Sequence, residues 1–491
     1  MGRSARDLPA PPRQPKNSET KGPIIQTQPE HPGRPSLRAA AAWLLLGPRV
    51  SPERLDRALL PRSTWERWTE WIALAGACLW MAFVCAPMSF VEFAGAPLAL
   101  ASVIRPRATL RALALFFQTP TWWLLLAWAA WRALSLTWSP EPAEGFDQLG
   151  AMRWAWSPLL IFPMLRHRRT LICAMVIGFL CANLAQVAHA LGVTFDIDWL
   201  TFDREPRRNS GWWAAVVGGT MLTAALGLHL PGALLGRGRI RILGLAGSAI
   251  TLVAILATGT RGAWLAAAGL IAIGAIVAVA RAPRALAQVT PKRILIAGAC
   301  IVLVAAAAWA FAGKAISGRV QETRMEIARA IEGDLSTFTG RRILMARWAG
   351  EAMLAHPIRG VGMGGYAAWA DARQAAADVP PEQRDVRSHA HNMLLHEGAS
   401  TGLVGLALFG AIWFAAIRSA FAWTAGALGT YSAGPAFALI GLLLVGATDV
   451  VHINAQTAAL WLALLSLTPI MRLGSSGSGA PSTGGTGVPP V

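Results

Sequence analysis

The chain has few charged residues and almost no tyrosine. Asp, Glu, Lys and Arg make up 14% of its 491 residues, whereas about a quarter of the residues in soluble globular proteins are charged. Hydrophobic residues reach 54%, and the mean hydropathy is +0.44. This composition excludes a disordered chain, a collagen and a coiled coil, and it argues strongly against a water-soluble enzyme of this length. It predicts a polytopic membrane protein, in which the 22 Trp suit the membrane interfaces.

Cysteine is scarce as well. The five cysteines lie in apolar segments, and no CxxC pair or Cys/His spacing occurs, so the sequence supports neither a zinc site nor a disulfide framework. The net charge of +18 does not indicate nucleic-acid binding, because no basic stripe with interleaved aromatic residues is present. Lys and Arg accumulate in the cytoplasmic loops of membrane proteins. We therefore expect membrane lipids as surroundings, with no nucleic-acid partner.

Apolar runs long enough to cross a membrane recur from residue 70 to residue 471. A helix needs about 20 residues to cross a hydrocarbon core about 30 Å thick. The sequence predicts about twelve such helices, and therefore an all-α fold, at 70–87, 89–104, 119–137, 152–165, 169–191, 211–230, 240–258, 262–281, 293–313, 400–420, 425–447 and 453–471. The first two and the short 152–165 fit the required length least well.

Charge divides the predicted loops into two sides. Loops on one side are basic and contain no acidic residue. Each of these six loops contains at least one arginine: Arg105, Arg166, Arg237, Arg284, Arg418 and Arg472. Loops on the other side carry acidic residues such as Asp147 and Asp198. Because basic loops favour the cytoplasm, we predict that both termini are cytoplasmic.

These features divide the chain into five parts. They are a basic, Pro-rich cytoplasmic tail at 1–67, a membrane domain with helices 1–9 at 68–313, a large periplasmic loop at 314–399, helices 10–12 at 400–472 and a flexible tail at 473–491. The periplasmic loop has two amphipathic stretches but is too small and too weakly apolar for a core of its own. We expect it to be partly helical and to cover the membrane domain.

Arginines on the external side are unexpected, since the charge bias opposes them. Arg261 lies between two predicted spans with almost no loop, where an arginine is costly without an anionic partner. It is either a snorkelling anchor or a guanidinium fork on a phosphate. Arg207 and Arg208 precede another span, whose N-terminus would favour an anion. An ordinary loop that is ion-paired with Asp203 and Glu205 is the alternative.

Three histidines, His389, His391 and His396, lie within eight residues where the long loop meets a span. A His-x-His pair can ligate zinc, but no carboxylate-rich or Cys-containing motif accompanies it. One neutral imidazole acting as a general base is the other interpretation, because its reference pKa of about 6.5 suits proton uptake near neutral pH. Otherwise His389 and His396 are expected to be solvated loop residues.

Together these segments resemble the O-antigen ligase and polymerase family of bacterial envelope glycosyltransferases. The family's Arg-x3-Leu motif is matched by Arg261 through Leu265, and its His-x10-Gly motif by His391 through Gly402. Residues 339–366 are similar to its Arg-rich stretch, which ends in His-Pro-x2-Gly-x-Gly. Arg208 followed by Gly211 is similar to its external Arg-x-x-Gly. The resemblance covers roughly residues 200–420.

The resemblance implies a GT-C-like, metal-independent enzyme without a cofactor, in the bacterial inner membrane and with its active site on the periplasmic face. The donor would be O-antigen polysaccharide on undecaprenyl pyrophosphate, and the acceptor a sugar hydroxyl of lipid A-core. His391 would take the acceptor proton. The pyrophosphate would be bound by Arg261, Arg208 and Arg207, and the candidate supporting residues are Asp449, Asn392 and His389.

Two alternatives are also compatible with the sequence. A polymerase of the same family would differ chiefly in its acceptor, which would be a sugar on a growing chain. A lipid or polysaccharide transporter also commonly has twelve helices with both termini inside. However, the predicted helix interiors are almost free of charge and the candidate groups cluster at one face, which favours chemistry at an interface.

The charge pattern generates a test of topology. We expect Arg237 and Arg284 to face the cytoplasm, and Arg261 and the loop 314–399 to face the periplasm, because every basic loop falls on one side. A cysteine introduced as Ala330→Cys should react with an impermeant thiol reagent from the periplasmic side, and Arg237→Cys only from the cytoplasmic side. Labelling of position 330 from the cytoplasm alone would overturn the topology.

Overall fold

The computed structural model describes residues 52–117, 119–201, 212–281, 317–377, 389–422 and 433–468, together with the isolated positions 306, 309 and 313. All of them belong to one compact unit, Ala42–Val491. The predicted tails lie outside the described residues except for 52–67, and the predicted span 293–313 lies almost wholly outside them.

Every regular element in these residues is an α-helix or a short 3-10 helix. The α-helices are α1 Pro52–Leu59, α2 Thr64–Phe83, α3 Met88–Ile104, α4 Pro106–Phe116, α5 Pro120–Ser135, α6 Pro142–Gly150, α7 Ser157–Ile161, α8 Arg168–Phe195, α9 Ala215–Leu235, α10 Arg239–Ala257, α11 Arg261–Arg281, α12 317–331, α13 Phe338–Ala355, α14 Gly365–Ala376, α15 Met393–Ala422, α16 Gly434–Val445 and α17 Ala455–Ser466. The all-α class is therefore confirmed for the described chain.

Five helical stretches among the described residues are long and apolar enough to cross a membrane: Pro142–Phe195, α9, α10, α11 and α15. A sixth is obtained if α3 and α4, which meet at 101°, are counted as one broken span. The helices α16 and α17 are apolar but have only 12 residues each. The chain is thus a polytopic membrane protein, while the number of twelve spans and the GT-C-like arrangement remain predictions.

The predicted short span 152–165 is not a separate straight helix. It consists of the 3-10 helix Ala151–Trp156, α7 and the 3-10 helix Phe162–His167, and it runs on directly into α8. Pro158 and Pro163 lie inside this stretch. Because proline has no N–H to donate and its ring displaces the preceding turn, it breaks regular α-helical bonding. The sequence prediction therefore placed a span where the chain forms the irregular start of a longer stretch.

The centre of the membrane domain is α9, which is buried along almost its whole length. It packs against α10, α11 and α16. Small residues such as Gly218, Gly219 and Ala224 line it, and small residues allow membrane helices to approach closely. This packing brings the N-terminal end of α11 beside the turn 446–454, which joins α16 to α17. Gly262 makes that approach possible, since a Cβ there would lie 2.0 Å from Thr448 Oγ1.

The helix α15 is bent at Gly402, where φ is 70° and ψ is −171°. The bend receives the turn between α13 and α14: the Leu403 N–H donates to Pro357 O over 2.7 Å, and the Gly362 N–H to Ser400 O over 3.0 Å. A Cβ at Gly402 would lie 2.2 Å from Ile358 O. The His-Pro-x2-Gly-x-Gly stretch therefore packs directly against the glycine of the His-x10-Gly motif.

Gly402→Ala should destabilise the protein by at least about 2 kcal/mol, because its backbone angles lie in a region that only glycine adopts readily and because the new methyl group meets a backbone carbonyl. Thermal unfolding in detergent measures the change. Gly410→Ala in the same helix is the control, since a Cβ there meets nothing within 4 Å. Equal unfolding temperatures for the two variants would contradict this explanation of the bend.

Candidate active site

His391 lies in the segment 389–392, directly before α15, and its backbone is strained. Its φ is 49°, and Asp196 is the other non-glycine residue with a positive φ in the described chain. The left-handed region costs an L-residue energy, and such residues cluster at functional sites. The conformation turns the chain sharply into the helix, so that His391 stands at the end of α15 rather than on its side.

Asn392 holds this turn from both sides. Its Oδ1 accepts a hydrogen bond from the Leu395 N–H at 3.0 Å, which caps α15. Its Nδ2 donates to Ala447 O at 3.0 Å, and the Met393 N–H donates to Gly446 O at 2.7 Å. The segment before α15 is therefore bonded directly to the turn 446–454, which carries Asp449.

Asp449 faces His391, with 3.8 Å between Asp449 Oδ1 and His391 Nδ1. This is longer than a hydrogen bond, so the contact is electrostatic. Burial raises the pKa of Asp449, but the His391 imidazole and the Val450 backbone N–H lower it more, and the net pKa lies below its ordinary value. An ionised carboxylate therefore lies beside the imidazole. The His389 ring packs edge-on against His391 with 4.4 Å between centroids.

His389, His391 and Asp449 are also the residues that come nearest to a metal site in the described chain. One ligand atom from each lies within 4.8 Å of the others. Two ligands of one tetrahedral zinc ion lie about 3.3 Å apart, so the three groups would have to move closer to share an ion. Metal independence stays a prediction, and a chelator tests it.

Arg261 is the first residue of α11, and its guanidinium is bound as a fork. Nη1 lies 2.7 Å from Glu326 Oε2 and Nη2 lies 3.3 Å from Glu326 Oε1. The Thr323 hydroxyl accepts a further bond from Nη1 at 3.0 Å, and the Thr339 hydroxyl donates to Glu326. The anionic partner that the position of Arg261 requires is thus a carboxylate of the chain's own loop, on α12.

The carboxylate of Glu326 stays ionised at this place. Burial raises its pKa, whereas the hydrogen bonds from Arg261 and Thr339 lower it more, so the net pKa lies below its ordinary value. Carboxylate and phosphate both present two oxygens to the planar fork of an arginine. Arg261 is therefore oriented for a bidentate anion.

Arg342 on α13 is a residue of the site that the sequence analysis did not single out. It interacts electrostatically with Asp449, Arg261 and Glu326, and burial is the main cause of its lowered pKa. The neighbouring Arg341 instead donates to Ser336 O at 2.9 Å. The sequence does show two adjacent arginines, Arg341 and Arg342, in the Arg-rich stretch. It does not show which of the two faces the site, because that depends on the orientation of α13.

The other sequence predictions have mixed outcomes. The structure brings together Arg261, His389, His391, Asn392 and Asp449, whereas Arg207 and Arg208 lie outside the described residues. The expectation that His396 is solvated is wrong. Because α15 begins at Met393, His396 falls on the packed side of its first turn and is 1% exposed.

The fold and the site define a polytopic helical membrane protein in which histidine, carboxylate and arginine side chains meet at the ends of membrane helices. Residues 246–410 match the family model described as O-antigen ligase, a match that covers about a third of the chain. Residues 246–410 are therefore similar to the O-antigen ligase family, and this match supports the superfamily resemblance drawn from the motifs. No curated protein matches the chain. The superfamily match supports an enzymatic function of the ligase and glycosyltransferase kind.

Proposed function

We propose that the chain is an O-antigen ligase, a membrane glycosyltransferase of lipopolysaccharide biosynthesis. It transfers O-antigen polysaccharide from undecaprenyl pyrophosphate to a sugar hydroxyl of lipid A-core. The observation that carries the proposal is the placement of His391 beside the ionised Asp449 in a site that also contains Arg261 and Arg342. These are the groups required to accept a proton and to stabilise a leaving pyrophosphate.

His391 acts as the general base. Its Nδ1 faces Asp449, which favours the tautomer with the proton on Nδ1 and leaves the Nε2 lone pair for the acceptor hydroxyl. As the hydroxyl oxygen attacks the anomeric carbon, its proton passes to Nε2 and the bond from that carbon to the pyrophosphate oxygen breaks. Asp449 stabilises the imidazolium that forms, as a carboxylate does for a catalytic histidine in other enzymes.

The arginines act on the leaving group. Negative charge grows on the pyrophosphate as it departs, and fixed cationic donors that are already oriented stabilise such charge strongly. Arg261 supplies a fork for two phosphate oxygens, Arg342 adds charge nearby, and Arg207 and Arg208 would join from the segment before α9. An anion that binds Arg261 has to replace Glu326, so donor binding would release α12 from this contact.

The cellular setting follows from the same proposal. The protein lies in the bacterial inner membrane with both termini in the cytoplasm, and its active site faces the periplasm. An O-antigen polymerase is the second candidate, because it would use the same groups and differ in its acceptor. A transporter is disfavoured by the superfamily match and by the grouping of the charged side chains at helix ends.

The test is transfer of labelled glycan from the lipid-linked donor to lipid A-core in proteoliposomes. A ligase produces labelled lipid A-core. A polymerase lengthens the glycan on the lipid carrier and leaves lipid A-core unlabelled. Movement of the donor across the membrane without any transfer would contradict both and would favour a transporter.

Arg261→Ala should lower the transfer rate by at least about a hundredfold, since it removes an oriented donor to the leaving group. Arg261→Lys should recover only part of the rate, because it keeps the charge and loses the fork. Glu326→Gln should lower the KM for the donor, because an uncharged group competes less with the pyrophosphate. Arg347→Ala is the control, as this loop arginine has a side chain that is 72% exposed and pairs with Glu351. Full activity of both Arg261 variants would make Arg261 a structural anchor.

His391→Ala should lower the transfer rate by at least about a hundredfold, the size expected for loss of a general base. Donor binding should persist, because the pyrophosphate contacts belong to the arginines. His389→Ala should cost much less, and activity should persist in a chelator. A metal site would become the better explanation if chelation stopped the reaction or if His389→Ala were as damaging as His391→Ala.

A further inference from the structure

A buried charged cluster lies behind the site and takes no part in the chemistry described above. Its members are Glu397 on α15, His452 in the turn 446–454 and Arg132 on α5, and each is at most 1% exposed. Trp128 and Phe409, both fully buried, pack around His452 with centroid distances of 5.8 Å and 4.8 Å. The cluster is therefore surrounded by aromatic rings.

The carboxylate of Glu397 connects three parts of the chain. Its Oε1 accepts hydrogen bonds from Trp128 Nε1 on α5 and from Thr401 Oγ1 on α15, each at 2.8 Å. Its Oε2 lies 3.0 Å from His452 Nε2 in the turn 446–454. One side chain thus joins α5, the first part of α15 and the turn that carries Asp449.

A buried carboxylate of this kind is not the most stable choice for a membrane core. Moving an ion out of water costs several kcal/mol, and well-packed apolar residues of similar volume are often at least as stabilising. Arg132 interacts electrostatically with Glu397, yet its Nη1 has no hydrogen-bond partner in the described chain. General fold stability is therefore a weak explanation for the cluster.

The turn 446–454 contacts α15 and the segment before it on either side of Asp449. On one side, the Met393 N–H bonds to Gly446 O and Asn392 Nδ2 bonds to Ala447 O. On the other side, the contact is between His452 and Glu397. Asp449 lies between these two contacts in the sequence, 3.8 Å from His391.

We propose that Glu397 is a positioning residue which, through His452, holds the turn 446–454 so that Asp449 faces His391. This inference rests on the proposed function, because it assigns Glu397 a part in the same transfer reaction. Glu397 itself does not touch the substrates. Its removal affects the step in which His391 takes a proton, and leaves the binding of the donor pyrophosphate to the arginines unchanged.

Glu397→Gln is the central variant, since the amide oxygen can still accept from Trp128 and Thr401 while the charge is lost. We expect kcat to fall about tenfold, with the donor KM unchanged within about twofold, when rates are normalised to folded protein. His452→Gln keeps a side-chain amide that can bond Glu397, so it should retain more of kcat than His452→Ala. If Glu397→Gln does not fold, the comparison of kcat between His452→Gln and His452→Ala tests the proposal instead.

The decisive measurement is a double-mutant cycle with Asp449→Asn, because residues that act through one another are not additive. We expect the double variant Glu397→Gln/Asp449→Asn to have the kcat of Asp449→Asn alone, within about twofold. The control is Asn183→Ala, which removes a buried hydrogen bond to Thr251 of 2.6 Å between α8 and α10. Its effect should be the same with and without Asp449→Asn.

The outcomes separate this inference from the proposed function. If Glu397→Gln lowers kcat by the same factor in both backgrounds, the cluster is only structural and the inference is wrong, while the proposed function stands. If His391→Ala and Asp449→Asn both keep the wild-type transfer rate, the proposed function fails and the inference fails with it.

Discussion

A membrane protein cannot leave backbone N–H and C=O groups unpaired in its apolar interior, and this requirement shapes the region around the site. Helices satisfy it internally, whereas irregular segments have to bond to other parts of the protein. Here the irregular segments bond to helix ends and bends. The turn after α13 bonds to the bend of α15, and the segment before α15 bonds to the turn 446–454. His391 and Asp449 lie on two segments joined in this way, so backbone pairing determines where they meet.

Electrostatics around the site follows the same logic at the level of side chains. Arg261 and Glu326 are both largely buried, with side chains 21% and 8% exposed, and each has charged or hydroxyl partners. Asp449 lies beside the His391 imidazole and interacts electrostatically with Arg342. Each carboxylate of the site thus has a basic side chain as a partner. This arrangement keeps carboxylates ionised at a membrane boundary, where an isolated charge would be expensive.

Much of the site could be predicted from local pattern, and the failures have a common cause. Hydropathy predicts that Arg261 lies at the start of a helix and that His391 precedes a span. Asn392 is a typical capping residue. The partner of Arg261, the orientation of Arg342 and the burial of His396 depend on how the loop helices pack. That packing depends on contacts between residues distant in sequence. The helical periodicity of apolar residues predicts a helix but not its packing partners. Apolar content alone does not reveal the irregular stretch before α8, because Pro158 and Pro163 interrupt its helical bonding.

The backbone at residue 391 has a consequence for how stability and activity are related. A left-handed conformation favours glycine, and a side chain there costs about 1 kcal/mol or more. Backbone strain alone would therefore favour glycine over histidine at this position. Under the proposed function, the protein gives up some stability to keep the imidazole of the general base at this position.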